Sequence, residues 1–122
     1  MDIYTIAKEE ANIKRQKEIL DRKVLVDNMR KREDKMLEAF IDLGIKYEKS
    51  PWYREQEELN GWLDFKYNVF LTTSNETSIE VEVNKNGYKV TGNWGDRYGC
   101  EYDTLEDVME SVVRYIKRAN GC

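Results

Sequence analysis

The 122-residue chain reads as an α+β fold: a long N-terminal helix, a short second helix, a three- to four-stranded antiparallel meander and a C-terminal amphipathic helix. Three observations predict it. Neither Gly nor Pro interrupts Thr5 to Leu43. From Leu63 to Trp94, apolar and polar residues alternate between turn-forming clusters. From Leu105 to Ile116, apolar residues return at helical spacing.

The first segment is rich in Lys, Glu, Arg, Ala, Leu and Met, all good helix formers. Its apolar residues recur seven apart, first as Ile6, Ile13 and Leu20, then as Met29, Met36 and Leu43, with Val26, Phe40 and Tyr47 reinforcing the second series. The two series are out of phase, so the register shifts near Val24-Leu25-Val26 and a bend or a change of partner is expected there. Unbroken, such a helix is about 60 Å long, whereas a domain of roughly 70 residues has a radius of gyration of only about 11 Å. The second half of the helix is therefore expected on the sheet. The thinner apolar stripe of the first half, interleaved with Lys14, Arg15, Lys17 and Glu18, suits a helix-to-helix seam between subunits or a solvated helix.

Gly44 weakens the helix end. Ser50-Pro51 reads as the N-cap and first residue of a short helix from Trp52 to Leu59, stopped by Asn60-Gly61. Leu63, Phe65, Tyr67, Val69 and Leu71 then mark one face of a strand. After a turn at Ser74-Asn75-Glu76, Ile79, Val81 and Val83 mark a second. Asn86-Gly87 is a tight hairpin signal leading into Tyr88, Val90, Gly92 and Trp94, and a short fourth strand is expected around Cys100 to Tyr102. Asp103-Thr104-Leu105-Glu106 opens the last helix with a capping-box pattern, its face carried by Leu105, Val108, Met109, Val112, Val113 and Ile116. Residues 1–48 thus form the long helix and 49–122 the sheet with its closing helix, together one structural domain.

Composition narrows the chemistry. The net charge is −4, unevenly spread: residues 1–50 carry 12 Lys/Arg against 11 Asp/Glu, and residues 51–122 carry 8 against 13. There is no global attraction to nucleic acid or to an anionic membrane, and an anion site in the second half must be local. No apolar run approaches the length of a membrane span, and the chain opens Met1-Asp2-Ile3-Tyr4 without a secretion signal, so a cytosolic protein with Cys100 and Cys122 as free thiols is expected. Histidine is absent, which removes the usual general base, the commonest metal ligand and every Ser-His or Cys-His triad. Two cysteines alone do not complete a structural zinc site, and the scattered glycines form no phosphate loop. The expectation is a non-enzymatic binding protein without cofactor or metal.

Two stretches carry groups suited to a ligand. Asn93-Trp94-Gly95-Asp96-Arg97-Tyr98-Gly99 sets aromatics, an amide, a carboxylate and a guanidinium on a loop at a strand end. Trp94 and Tyr98 can stack on a base, Arg97 can fork a phosphate, and Asp96 can accept from hydroxyls. The same stretch also reads as a plain turn in which Arg97 pairs with Asp96 or Glu101. On the last helix, Arg114 and Arg118 share one face with Lys117 nearby. They suit a pyrophosphate, or they simply complement the helix dipole. The basic run Arg30-Lys31-Arg32 with Lys35 is followed by Glu33-Asp34 and reads as a salt-bridged, solvated helix face. Trp52, Tyr53 and Arg54 read as core or interface packing rather than a lid.

This build, in a Lys-, Glu- and Asn-rich chain without catalytic residues, is similar to small phage and prophage proteins that counter bacterial immunity. It most resembles the viral anti-Thoeris sponge family, with Arg114 and Arg118 on the last helix and Asn93 with Tyr88 or Trp94 on the sheet as the nearest residue match. The resemblance implies an oligomer that sequesters, without cleaving, the cyclic ADP-ribose isomer made by TIR-domain sensors in the host bacterial cytosol. It implies the two Arg on the pyrophosphate and the aromatic on the adenine. The competing readings are an anti-CRISPR-like inhibitor that binds a host protein through an acidic surface (Glu55, Glu57, Glu58, Glu80, Glu82, Asp103, Glu106), and a nucleic-acid or structural phage module using Lys14, Arg15, Arg30 and Arg32.

Overall fold

The computed structural model describes residues 2–51, 53, 65–92 and 99–121. These form α1 (Ile3–Asp42), β1 (Tyr47–Lys49), β2 (Phe65–Phe70), β3 (Ser78–Asn84), β4 (Gly87–Thr91), β5 (Cys100–Tyr102) and α2 (Leu105–Ala119). The strands make one sheet in sequence order, every neighbouring pair antiparallel. This is the expected α+β meander between two helices, with one strand more than expected.

The extra strand is β1. The sequence places Leu43 and Tyr47 in the long helical series, but α1 stops at Asp42. The chain reverses through Gly44, whose φ of +68° is the left-handed conformation that glycine adopts without a Cβ clash. Tyr47 then lies opposite Val69 as an edge strand, so the division of the chain at residue 48 falls inside β1. The short helix expected over Trp52–Leu59 falls, apart from Tyr53, outside the described residues. Tyr53 itself is not helical, and its N–H donates to the Ser50 carbonyl.

The alternation read from the sequence sorts the sheet faces. Phe65, Tyr67, Val69, Ile79, Val81, Val83, Tyr88 and Val90 are buried on one face against Met29, Met36 and Phe40 of α1 and Val108 and Val112 of α2. Fully burying a side chain of this size contributes about 1.5–3 kcal/mol. On the other face the register sets Lys66 opposite Glu82, Glu82 opposite Lys89, and Lys89 opposite Glu101. Charge alternates in sign across four strands, a favourable cross-strand arrangement.

Polar contacts at several points fasten the helices. Arg32 on α1 donates to the carbonyls of Asn84 and Lys85 in the β3–β4 hairpin. Asn120, capping α2, donates its amide to Leu71 O at 2.9 Å. Tyr102 on β5 bonds the buried Ser111 of α2 at 3.0 Å. The N-cap of α2 is Thr104, whose hydroxyl accepts from Asp107 N–H, one residue later than the pattern beginning at Asp103 suggests.

Beyond the sheet, α1 runs free. Residues 2–21 are exposed throughout, and Val26 is the first buried residue. No helix among the described residues is long and apolar enough to cross a membrane.

Candidate functional site

The end of the sheet where β4 gives way to β5 is held by α2. Gly92, directly before residues 93–98, lies against the ring of Tyr115. A Cβ at Gly92 would come within 2.8 Å of Tyr115 Oη and 2.9 Å of its Cε1. Only glycine allows the ring to settle this close to the backbone. Tyr115 sits between Arg114 and Arg118 in sequence, so the helix segment carrying both arginines is packed against Gly92, where the described part of this strand ends. Arg114 and Arg118 are exposed, and Arg114 Nη2 pairs with Glu110 Oε1 at 3.2 Å across one helical turn.

Asn93, Trp94, Asp96, Arg97 and Tyr98 lie outside the described residues. Tyr88 does not share the position expected of a stacking ring. It is 4% exposed within the core, its hydroxyl held above the ordinary range by burial, and no ring face is left for a base. The missed participants are Gly92 and Tyr115. An aromatic between two helix-face arginines, with a glycine ending the facing strand, was the available signal.

A second cluster contradicts a reading of the sequence. Glu33, assigned to a solvated charged face, is buried at 6% exposure. Its Oε2 accepts from Tyr53 Oη at 2.6 Å and from Tyr67 Oη at 2.9 Å. Val26, Met29, Glu33, Met36 and Phe40 are the buried residues of α1, and their three- and four-residue spacing puts the carboxylate in the middle of the apolar stripe. Burial, together with the Glu33 carboxylate, raises both phenols well above their ordinary pKa. They are neutral donors, not nucleophiles. Above them Tyr53 stacks on Phe65 at 5.4 Å, with Lys49 over the Tyr53 ring and Arg30 over the Phe65 ring. Arg30 and Arg32 are thus both engaged with the fold.

A shallow cavity of about 200 Å³ opens beside the C-terminal end of α2, lined by Leu43, Ile45, Lys46, Phe70 and Asn120 among others. Among the described residues no group of three or more acidic or cysteine side chains could hold a metal ion. Comparison with protein families, curated proteins and solved structures finds no match to this chain.

Proposed function

We propose that this chain is a non-catalytic binding protein that sequesters a cyclic nucleotide immune signal, of the cyclic ADP-ribose isomer class made by TIR-domain sensors, and so counters bacterial anti-phage defence. The observation that carries the reading is the packing of Tyr115 on Gly92, which sets the helix segment of Arg114 and Arg118 against the strand end that precedes residues 93–98 in the chain. A ligand of this class is compact, carries phosphate charge and offers a purine face, so two guanidinium groups beside stacking rings suit it. The Arg114–Glu110 pair is no obstacle, because exposed ion pairs contribute only about 0–1 kcal/mol and exchange readily for a phosphate. An oligomer seated on α1 would multiply the sites per particle, which a stoichiometric sponge needs.

The rival reading, inhibition of a host protein through an acidic surface, draws less support. Of the acidic residues it invokes, Glu82 sits between Lys66 and Lys89, and Lys66 lies 3.8 Å from Glu80.

The test is thermal stability against cyclic ADP-ribose isomers, cyclic di- and trinucleotides, NAD and ADP-ribose. A ligand at 1,000 times its dissociation constant adds about 4 kcal/mol to the native state. The expected result is a large shift with one cyclic nucleotide, recovered chemically intact on denaturation and lost in Arg114→Ala and Arg118→Ala. No shift across the panel, or full binding by both variants, overturns the reading and directs the search to a host protein partner.

A further inference from the structure

Residues 3–21 of α1 are exposed throughout, yet they carry Ile13 at 66% and Leu20 at 61% exposure. A second stripe at alternating three- and four-residue spacing runs Ile3, Ile6, Glu10, Ile13, Lys17, Leu20, Val24. At about 100° per residue, this stripe points roughly 150° away from the Val26–Met29–Glu33–Met36–Phe40 face that packs on the sheet. The described sheet packs on the other side of the helix. Apolar residues repeated at this spacing on a free helix are the seam of a coiled coil.

The two charged residues within the seam say what covers it. In a parallel pair, Glu10 would face the partner's Glu10, and Lys17 the partner's Lys17, in the same desolvated layers. In an antiparallel pair related by a twofold axis, one register puts Leu20 beside the partner's Glu10, Ile13 beside the partner's Lys17 and Val24 beside the partner's Ile6. One side of that seam is then apolar from end to end: Ile6, Leu20 and Ile13 interleave with the same three residues of the second copy. Along the other side Glu10 adjoins the partner's Lys17, and Ile3 adjoins the partner's Val24. The two lysines adjoin at the dyad, each meeting a glutamate on its outer side. Glu9 on the flank comes beside the partner's Lys23. Sliding the pair by one heptad toward the N-termini brings Glu10 against the partner's Glu10, so charge selects the register as well as the direction. Rim charges are worth little in either orientation, and the core layers decide.

We infer that the free half of α1 is the seam of an antiparallel homodimer, with Glu10 paired to the partner's Lys17 and the two sheet domains at opposite ends of the arm. Closed twofold pairing of one self-complementary surface is the commonest form of oligomer. The inference stands independently of any ligand.

The full chain should sediment as a dimer. A spin label at Thr5→Cys, in a Cys100→Ser, Cys122→Ser background, should report one distance of about 30 Å. Ile13→Asp, at the dyad, should give a monomer whose near-ultraviolet circular dichroism is unchanged. Glu10→Lys should weaken the dimer roughly tenfold, and adding Lys17→Glu should restore it. A monomer at all concentrations, a label distance below about 20 Å as for parallel helices in contact, or indifference to the charge exchange would overturn the proposal.

Discussion

Tyr67 donates its hydroxyl to the Glu33 carboxylate over 2.9 Å, joining β2 to the middle of the apolar stripe of α1. Glu33 Oε2 also accepts from Tyr53, so one buried oxygen organises the helix, the strand and the residue that opens the 54–64 segment. In a low-dielectric interior such a network is favourable only while each member is satisfied.

Removing the acceptor strands two phenol donors. Glu33→Ala should destabilise the protein by about 3 kcal/mol, since each unsatisfied buried group costs about 1–3 kcal/mol. Glu33→Gln keeps an acceptor oxygen and should lose less than half as much. Urea denaturation of the two variants measures the difference, and equal losses would mean that only volume matters at this position.

Raised phenol pKa values make the fold sensitive to alkali. Tyr53, Tyr67 and Tyr88 are held above the ordinary value of 10.0, chiefly by burial. The stabilisation is fully present below pH 10, where the phenols are protonated in both states. It is lost as pH rises further, because the unfolded chain then releases protons that the folded chain retains. Near-ultraviolet titration should show these three of the eight tyrosines ionising together with the loss of far-ultraviolet dichroism. A smooth titration of all eight at intact helicity would contradict it.

Contact between Gly92 and Tyr115 leaves no room for a methyl group. Gly92→Ala should cost about 1–3 kcal/mol as an overpacked site. Combined with Tyr115→Ala it should cost clearly less than the sum of the two single changes, since the added Cβ then meets no ring. Additive losses in that double-mutant cycle would remove the close approach as the reason for a glycine.

The N-cap of helix α2 is Thr104, not Asp103. Thr104→Ala should cost about 1 kcal/mol as the loss of an N-cap, while Asp103→Ala should stay within about 0.5 kcal/mol. Thermal melts that reverse the order would move the cap back by one residue.

Arg114 and Arg118 share an exposed face because four-residue spacing alone brings them there, and the same local rule sorts Phe65, Tyr67 and Val69 from Lys66 and Asn68. Side-chain direction repeats every 3.6 residues in a helix and every two in a strand, so facing was legible without coordinates. So were both helices, three full strands and the Asn86-Gly87 hairpin. Three residues from Tyr47 to Lys49 are too few to show a period, and their strand exists because β2 offers them an edge. Glu33 reads as one more charge on a charged helix until Tyr53 and Tyr67, twenty and thirty-four residues away, turn their hydroxyls to it. Tyr88 looks like a ligand platform until the core closes over it. Local spacing determines which side of an element each residue occupies. Which sides then meet is set by pairings between distant segments, and burial and polar partners follow from those pairings alone.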